Sequence, residues 1–281
     1  MKMNRRRILM VVIILPFLLF SFFLVPVVVC GQEKSQMSAP TAPAEPSIAL
    51  IDELLAEKTV ENCEKAIKVG KLLLKNDPDN PEILYRLANS YIGIMDIKTS
   101  ALIEEKDEYK PMLKEMGKIA CDYAEKAYKL NPKRKEIVAA NLVSYGYYSA
   151  SFGIVKAILK GAAGHYKDLC NELIEIDDTY LGALGYHMLG KLYHVAPWPV
   201  GSKSKALEFF QKAVKTDNTL LYSHYNLGLL YFEKRDYDRA EKEFTIVQKN
   251  TPNDCEKHYI DAYKKKAGYF LMSIARVKKR K

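Results

Sequence analysis

"LYSHYNLGLLYFEKRDYDRAEKEFTIVQKNTPND", residues 221–254, decides the fold. Its apolar residues recur at the three-to-four spacing of amphipathic helices. In this 34-residue stretch Leu227 and Gly228 take positions 7 and 8 and Tyr231 takes position 11. Ala240, Phe244, Val247 and Pro252 follow at positions 20, 24, 27 and 32. Two antiparallel helices approach closely only where side chains are small, so Gly228 and Ala240 thin the contact between them. Tyr231 and Phe244 fill the groove alongside. Pro252 cannot continue a helical hydrogen-bond ladder and stops the second helix.

This pattern resembles the tetratricopeptide repeat, a helical hairpin that stacks on copies of itself. The same frame fits upstream with insertions. Leu189, Gly190, Tyr193, Ala206, Phe210 and Ala213 form a second unit with four extra residues between its helices. Leu87, Ala88, Tyr91, Ala120, Ala124, Ala127 and Pro132 form another, stretched by about twenty residues against the ~34-residue repeat. That insertion, "IEEKDEYKPMLKEMGK", has helical period and is expected to lengthen both helices. Ala66, Leu73 and Pro78 mark a helix near the start, preceded by a poorly matching one at 47–57. Residues 135–180 are the most degenerate unit, with Tyr145 in register and "DLCNELIEIDD" as second helix. The expected body is an all-α solenoid of about four to five helix pairs over 47–254, closed by a capping helix and basic tail at 255–281.

Ahead of the body, "MKMNRRR" precedes twenty-two uncharged residues, enough for a bilayer core of about 20. The arginines should stay cytoplasmic and leave the rest outside. Residues 1–30 therefore read as an uncleaved membrane anchor, as a lipoprotein signal with Cys30 lipidated in "VVVCG", or as a signal peptide cleaved further along. The Val before Cys30 is larger than a lipobox normally allows. Residues 31–46, rich in Ser, Ala, Pro and Gln, read as a flexible tether.

The net charge of +9 sits at the two ends. The body between them carries 31 basic against 34 acidic residues, so no basic surface for nucleic acid is expected. Cys63, Cys121, Cys170 and Cys255 lack metal or redox spacing and read as small buried side chains. His187 and His194 share a helix face, but without a third ligand at matched spacing they do not make a metal site. His224 reads as a packing residue, and "KGAAGH" at 160–165 as a turn or helix break. No nucleophile arrangement is readable. Neither enzymatic activity nor a cofactor is expected.

The series of long early helices, then "YGYYSA", then "IDDTYLGALGYHMLGKLYHVAPWPVGSKSKALEFFQKAV", is similar to the T component of TRAP transporters. A comparable order occurs in the regulator-of-microtubule-dynamics family, and the export-type N-terminus favours the transporter family. The resemblance implies a non-enzymatic periplasmic partner of a solute-binding protein, self-association, and room for an apolar ligand. A general scaffold taking a peptide in its groove is the alternative.

In such solenoids positions 2, 5, 9 and 12 of the first helix line the concave face. Here they are Glu82, Tyr85, Asn89 and Ile92 in one unit, and Leu184, His187, Lys191 and His194 in another. The best-matched unit supplies Tyr222, Tyr225, Leu229 and Phe232. An aromatic groove with few charges suits an apolar or peptide-like ligand, unless those rings pack on a neighbouring helix. Trp198, the only tryptophan, stands between Pro197 and Pro199 in the four-residue insertion. It is expected to fold back over Tyr193 and Phe209 with its ring edge exposed, the alternative being a binding prong.

Overall fold

A computed structural model describes residues 45–153, 156, 158 and 161–280. The apolar N-terminal stretch, Cys30 and most of the expected tether lie outside the described residues. Among the described residues no helix is long and apolar enough to cross a membrane.

Eleven helices follow one another among the described residues, with no strand. They are α1 (Ile48–Ala56), α2 (Val60–Asn76), α3 (Pro81–Thr99), α4 (Lys110–Leu130), α5 (Lys135–Ala150) and α6 (Ala162–Ile176). Then come α7 (Tyr180–Val195), α8 (Lys203–Thr216), α9 (Leu221–Glu233), α10 (Tyr237–Lys249) and α11 (Ile260–Lys278). Local chemistry sets the starts. Ser47, Thr59, Asn80, Ser202 and Asp236 each accept a backbone N–H of the first turn of the helix they precede. Pro81 opens α3, where its missing N–H costs nothing. Gly161, at φ 81°, leads into α6. In α7 the residues Leu181, Gly182 and Ala183 are left-handed, so its right-handed turns begin at Leu184.

Consecutive helices pack as hairpins, α1 with α2 through α9 with α10, and each hairpin stacks on the next. The small residues of the repeat explain how closely. A methyl added at Gly190 would lie 2.6 Å from Phe210 Cδ1, and one at Gly228 would lie 3.0 Å from Phe244 Cε1. The two units share one joint despite their different loop lengths. Ala206, Phe210, Ala213, Ala240, Phe244 and Val247 are fully buried, as are Leu87, Ala88, Ala120, Ala124 and Ala127 in the stretched unit. Tyr91 and Tyr231 are buried too, while Tyr193 is half-buried and Pro252 follows the end of α10.

The insertion departs from its helical period. It yields a long α3 and a long α4, but between them Ser100, Ala101 and Leu102 turn left-handed at φ 49–52°. Such a run in non-glycine residues costs about 1–2 kcal/mol per residue and persists only where packing enforces it. Here the loop crosses to the C-terminal segment. Ile103 packs on the core of α8–α11, Tyr263 Oη donates to Ala101 O at 3.2 Å, and Lys266 pairs with Glu104. One turn earlier, His258 Nε2 lies 3.4 Å from Asp96 Oδ2, and Tyr147 Oη donates to the other oxygen of that carboxylate. The three contacts 96–258, 101–263 and 104–266 share a sequence separation of 162, so the two segments run side by side. The first long hairpin is thereby joined to the last helix.

Glu256 secures that last segment. α9 has no capping side chain of its own. The fully buried Glu256 carboxylate accepts instead from Leu221 N at 2.9 Å and Tyr222 N at 2.6 Å, a cap delivered from thirty-five residues away.

A candidate binding chamber on the concave face

The first helix of each hairpin faces inward, and together they wall a cavity of about 800 Å³. The wall is mostly apolar. α3 contributes Tyr85, Asn89 and Ile92, and α5 contributes Ala139, Val143 and Tyr147. α7 adds Leu184, Met188, Leu192 and Val195, and α9 adds Tyr222, Tyr225 and Leu229. The crossing described above completes the enclosure with Ala101, Leu102 and Ile103 on one stretch of chain and Tyr259 and Tyr263 on the other.

The expected groove residues do not all reach this space. Tyr85, Asn89, Lys191, His194, Tyr222 and Tyr225 do. Tyr85 is held between the guanidinium groups of Arg86 and Arg134, at 4.7 and 5.3 Å from its ring centre. Tyr222 and Tyr225 also pack edge-on against Tyr263, so the same rings serve both groove and cap. His187 does not line the chamber. It is fully buried between α7 and α9, with Nδ1 2.9 Å from Ser223 Oγ, and burial, with Lys191 as a second cause, lowers its pKa to about 3. Position 5 of this helix turned inward because Phe210 and Tyr222 close over it. Phe232 lies outside the chamber as well, packed between Tyr237 and Phe270 of α11.

Trp198 overturns its expected packing. Its residue is 88% exposed. Tyr193 and Phe209, the rings it was to cover, stack on each other at 5.5 Å and 6°, with the ammonium groups of Lys167 and Lys205 near the Tyr193 ring. That face is already satisfied, and the loop holds the indole in solvent.

Charge in the wall is matched almost throughout. Arg86 grips Asp52 with two bonds of 2.6 and 2.8 Å and also reaches Glu82. Arg134 holds Glu136, and His194 lies 3.1 Å from Glu233. Burial keeps the His194 pKa below its usual value in spite of that carboxylate. Among the described residues no group of His, Cys, Asp or Glu is placed to hold a metal ion. Cys63, Cys121, Cys170 and Cys255 are free, and burial raises each thiol well above its ordinary pKa, away from nucleophilic use. The size and lining of the chamber suit an apolar molecule.

Sequence reasoning missed the two segments that close the chamber. The Tyr259/Tyr263 pair lay in what read only as a cap, and residues 103–105, the start of the insertion, read as helix. The cluster "YGYYSA" was the available signal for Tyr147.

No protein-family model matches the sequence, and no curated protein matches it either. Among solved structures the chain is similar to TTC0263, a thermophilic tetratricopeptide-repeat protein of Thermus thermophilus. The overlap has a TM-score of 0.56 at 15% identity and covers 80% of this chain and 97% of that one. The fold is a tetratricopeptide-like solenoid. MamA overlaps more loosely, with a TM-score of 0.42 at 21% identity over 79% of this chain and 97% of its own. A human IFIT1 dimer with PPP-AAAA gives 0.39 at 18% identity over 78% of this chain and 56% of its own.

Proposed function

We propose that the protein is a non-enzymatic helical-repeat adaptor that holds a small apolar ligand in its concave chamber and offers its outer surface to a protein partner. The observation that carries this reading is the size of the cavity with its apolar, aromatic lining. Ligand sites of about 300–1,000 Å³ lined by apolar and aromatic side chains are typical of small-molecule pockets, and this one is of that size and lining. An open groove would suit an extended peptide; the 101–103 crossing narrows it toward a compact guest.

The finer reading joins this to the sequence. In that reading the body is tethered at a membrane on the extracytoplasmic side, which the apolar N-terminal stretch and the tether support, and the partner is a solute-binding protein of a TRAP-type transporter. What supports it is the order of long hairpins, the "YGYYSA" segment and the Trp198 loop. Trp198 gives that partner an anchor, since a rigidly presented tryptophan is a frequent interface hot spot.

Native mass spectrometry of protein purified from its own membranes tests the central statement. A retained non-peptide ligand of low mass supports it, and a retained peptide moves the reading to the general scaffold. Affinity capture from solubilised membranes tests the partner, and recovery of no solute receptor counts against the transporter role.

A further inference from the structure

The chamber's charges point to more than apolarity in its guest. Asp52, Asp96 and Glu136 line it, and each is held by a partner already named: Arg86, Tyr147 with His258, and Arg134. Glu105 lines it too, but is exposed on the crossing loop. On the cationic side, Lys58 runs its stem along Gly93 of α3. Neither Lys58 nor Lys191 has a carboxylate partner among the described residues, and Lys191 differs by its place. It sits within the apolar stripe that α7 shows the chamber, one turn from Met188 and from Val195. Its ammonium lies 5.3 Å from the centre of the Tyr222 ring and has no carboxylate or hydrogen-bond acceptor among the described residues.

Such an ammonium discriminates between guests. A neutral apolar molecule laid along the stripe strips water from the charge and returns nothing for it. A guest that carries its own anion at that place restores the lost solvation with a charge-assisted hydrogen bond in surroundings of low dielectric. The Tyr222 face below steadies the cation without neutralising it.

We infer that the chamber takes a single-chain acid amphiphile, its alkyl chain along the wall of α5, α7 and α9 and its carboxylate on Lys191. This rests on the chamber reading above and specifies the chemical class of the guest.

Calorimetric titration of the purified chain with dodecanoate and with 1-dodecanol provides the test. The expected result is about tenfold or greater preference for dodecanoate. That preference disappears in Lys191→Met, which binds dodecanol more tightly than the parent because no ammonium is left to desolvate, and it persists in Lys191→Arg. Binding of both probes with equal strength by the parent chain overturns the inference while leaving the apolar chamber intact. Binding of neither overturns both. Loss of the preference in Lys58→Met, but not in Lys191→Met, places the acid elsewhere and also overturns it. Retained dodecanol binding shows that Lys191→Met has folded.

Discussion

Phe244 and Trp198 mark the two extremes of what a single aromatic side chain does here. Phe244 is fully buried against Gly228 and stacks on Phe270 at 4.9 Å. Phe244→Ala should therefore lower unfolding free energy by about 3–5 kcal/mol, read from denaturant midpoints. Trp198→Ala should leave the melt within about 0.5 kcal/mol of the parent; under the proposed role it weakens capture of the protein partner instead. Two buried titrating groups give a pH test with opposed signs. Glu256 is raised to about 7, because burial outweighs the amides it accepts from, so the folded state holds its proton more tightly than the unfolded chain. Its contribution is fully present below about 4.5 and is lost as pH rises through about 7. His187 is lowered to about 3, so its contribution is present above about 6.5 and is lost as pH falls. The two slopes oppose each other between those limits. Glu256→Gln removes one of them, and its unfolding free energy should rise with pH across about 4.5–6.5 more steeply than the parent's. Equal slopes for the two proteins would contradict this assignment.

Among the elements, helix order was legible from spacing alone wherever small residues recur: the joint of Gly190 with Phe210 repeats that of Gly228 with Phe244. The 101–105 segment was not legible, because a helical period records only which residues prefer burial. It does not record that the surface burying them lies 162 residues further on. The same reason hid Tyr259 and Tyr263 as chamber walls. His187 went astray differently. Its register is that of a groove position, but inside, a neighbouring hydroxyl, Ser223, pairs with Nδ1 while Nε2 stays buried with no hydrogen-bond partner among the described residues. Ile103 offers the element-scale test. Ile103→Ala should cost about 1–2 kcal/mol through its half-buried packing on the last hairpin. It should also increase amide exchange in α11 more than in α4, although α4 is nearer in sequence.

For the whole molecule, ion pairs tie helices distant in sequence together, as Lys135 with Asp177 and Lys266 with Glu104 do. The basic C-terminal helix end is engaged by its own neighbours, with Lys278 at 2.5 Å from Asp238 and 2.7 Å from Glu241. A guest in the chamber stabilises the fold by mass action. Saturating dodecanoate should therefore raise the melting midpoint of the parent chain and raise that of Lys191→Met distinctly less.

An ordinary solenoid is coupled only between neighbours, so it can fray from either end and fold from any place along it. The joining of residues 96–104 to residues 258–266 removes that freedom. During synthesis the early hairpin has its crossing loop uncovered until residues 258–266 have emerged. Ring closure is then a late, long-range step of the kind that slows folding. Once made, it bolts the terminal helix in place, and a chain built of modular pieces melts as a single unit.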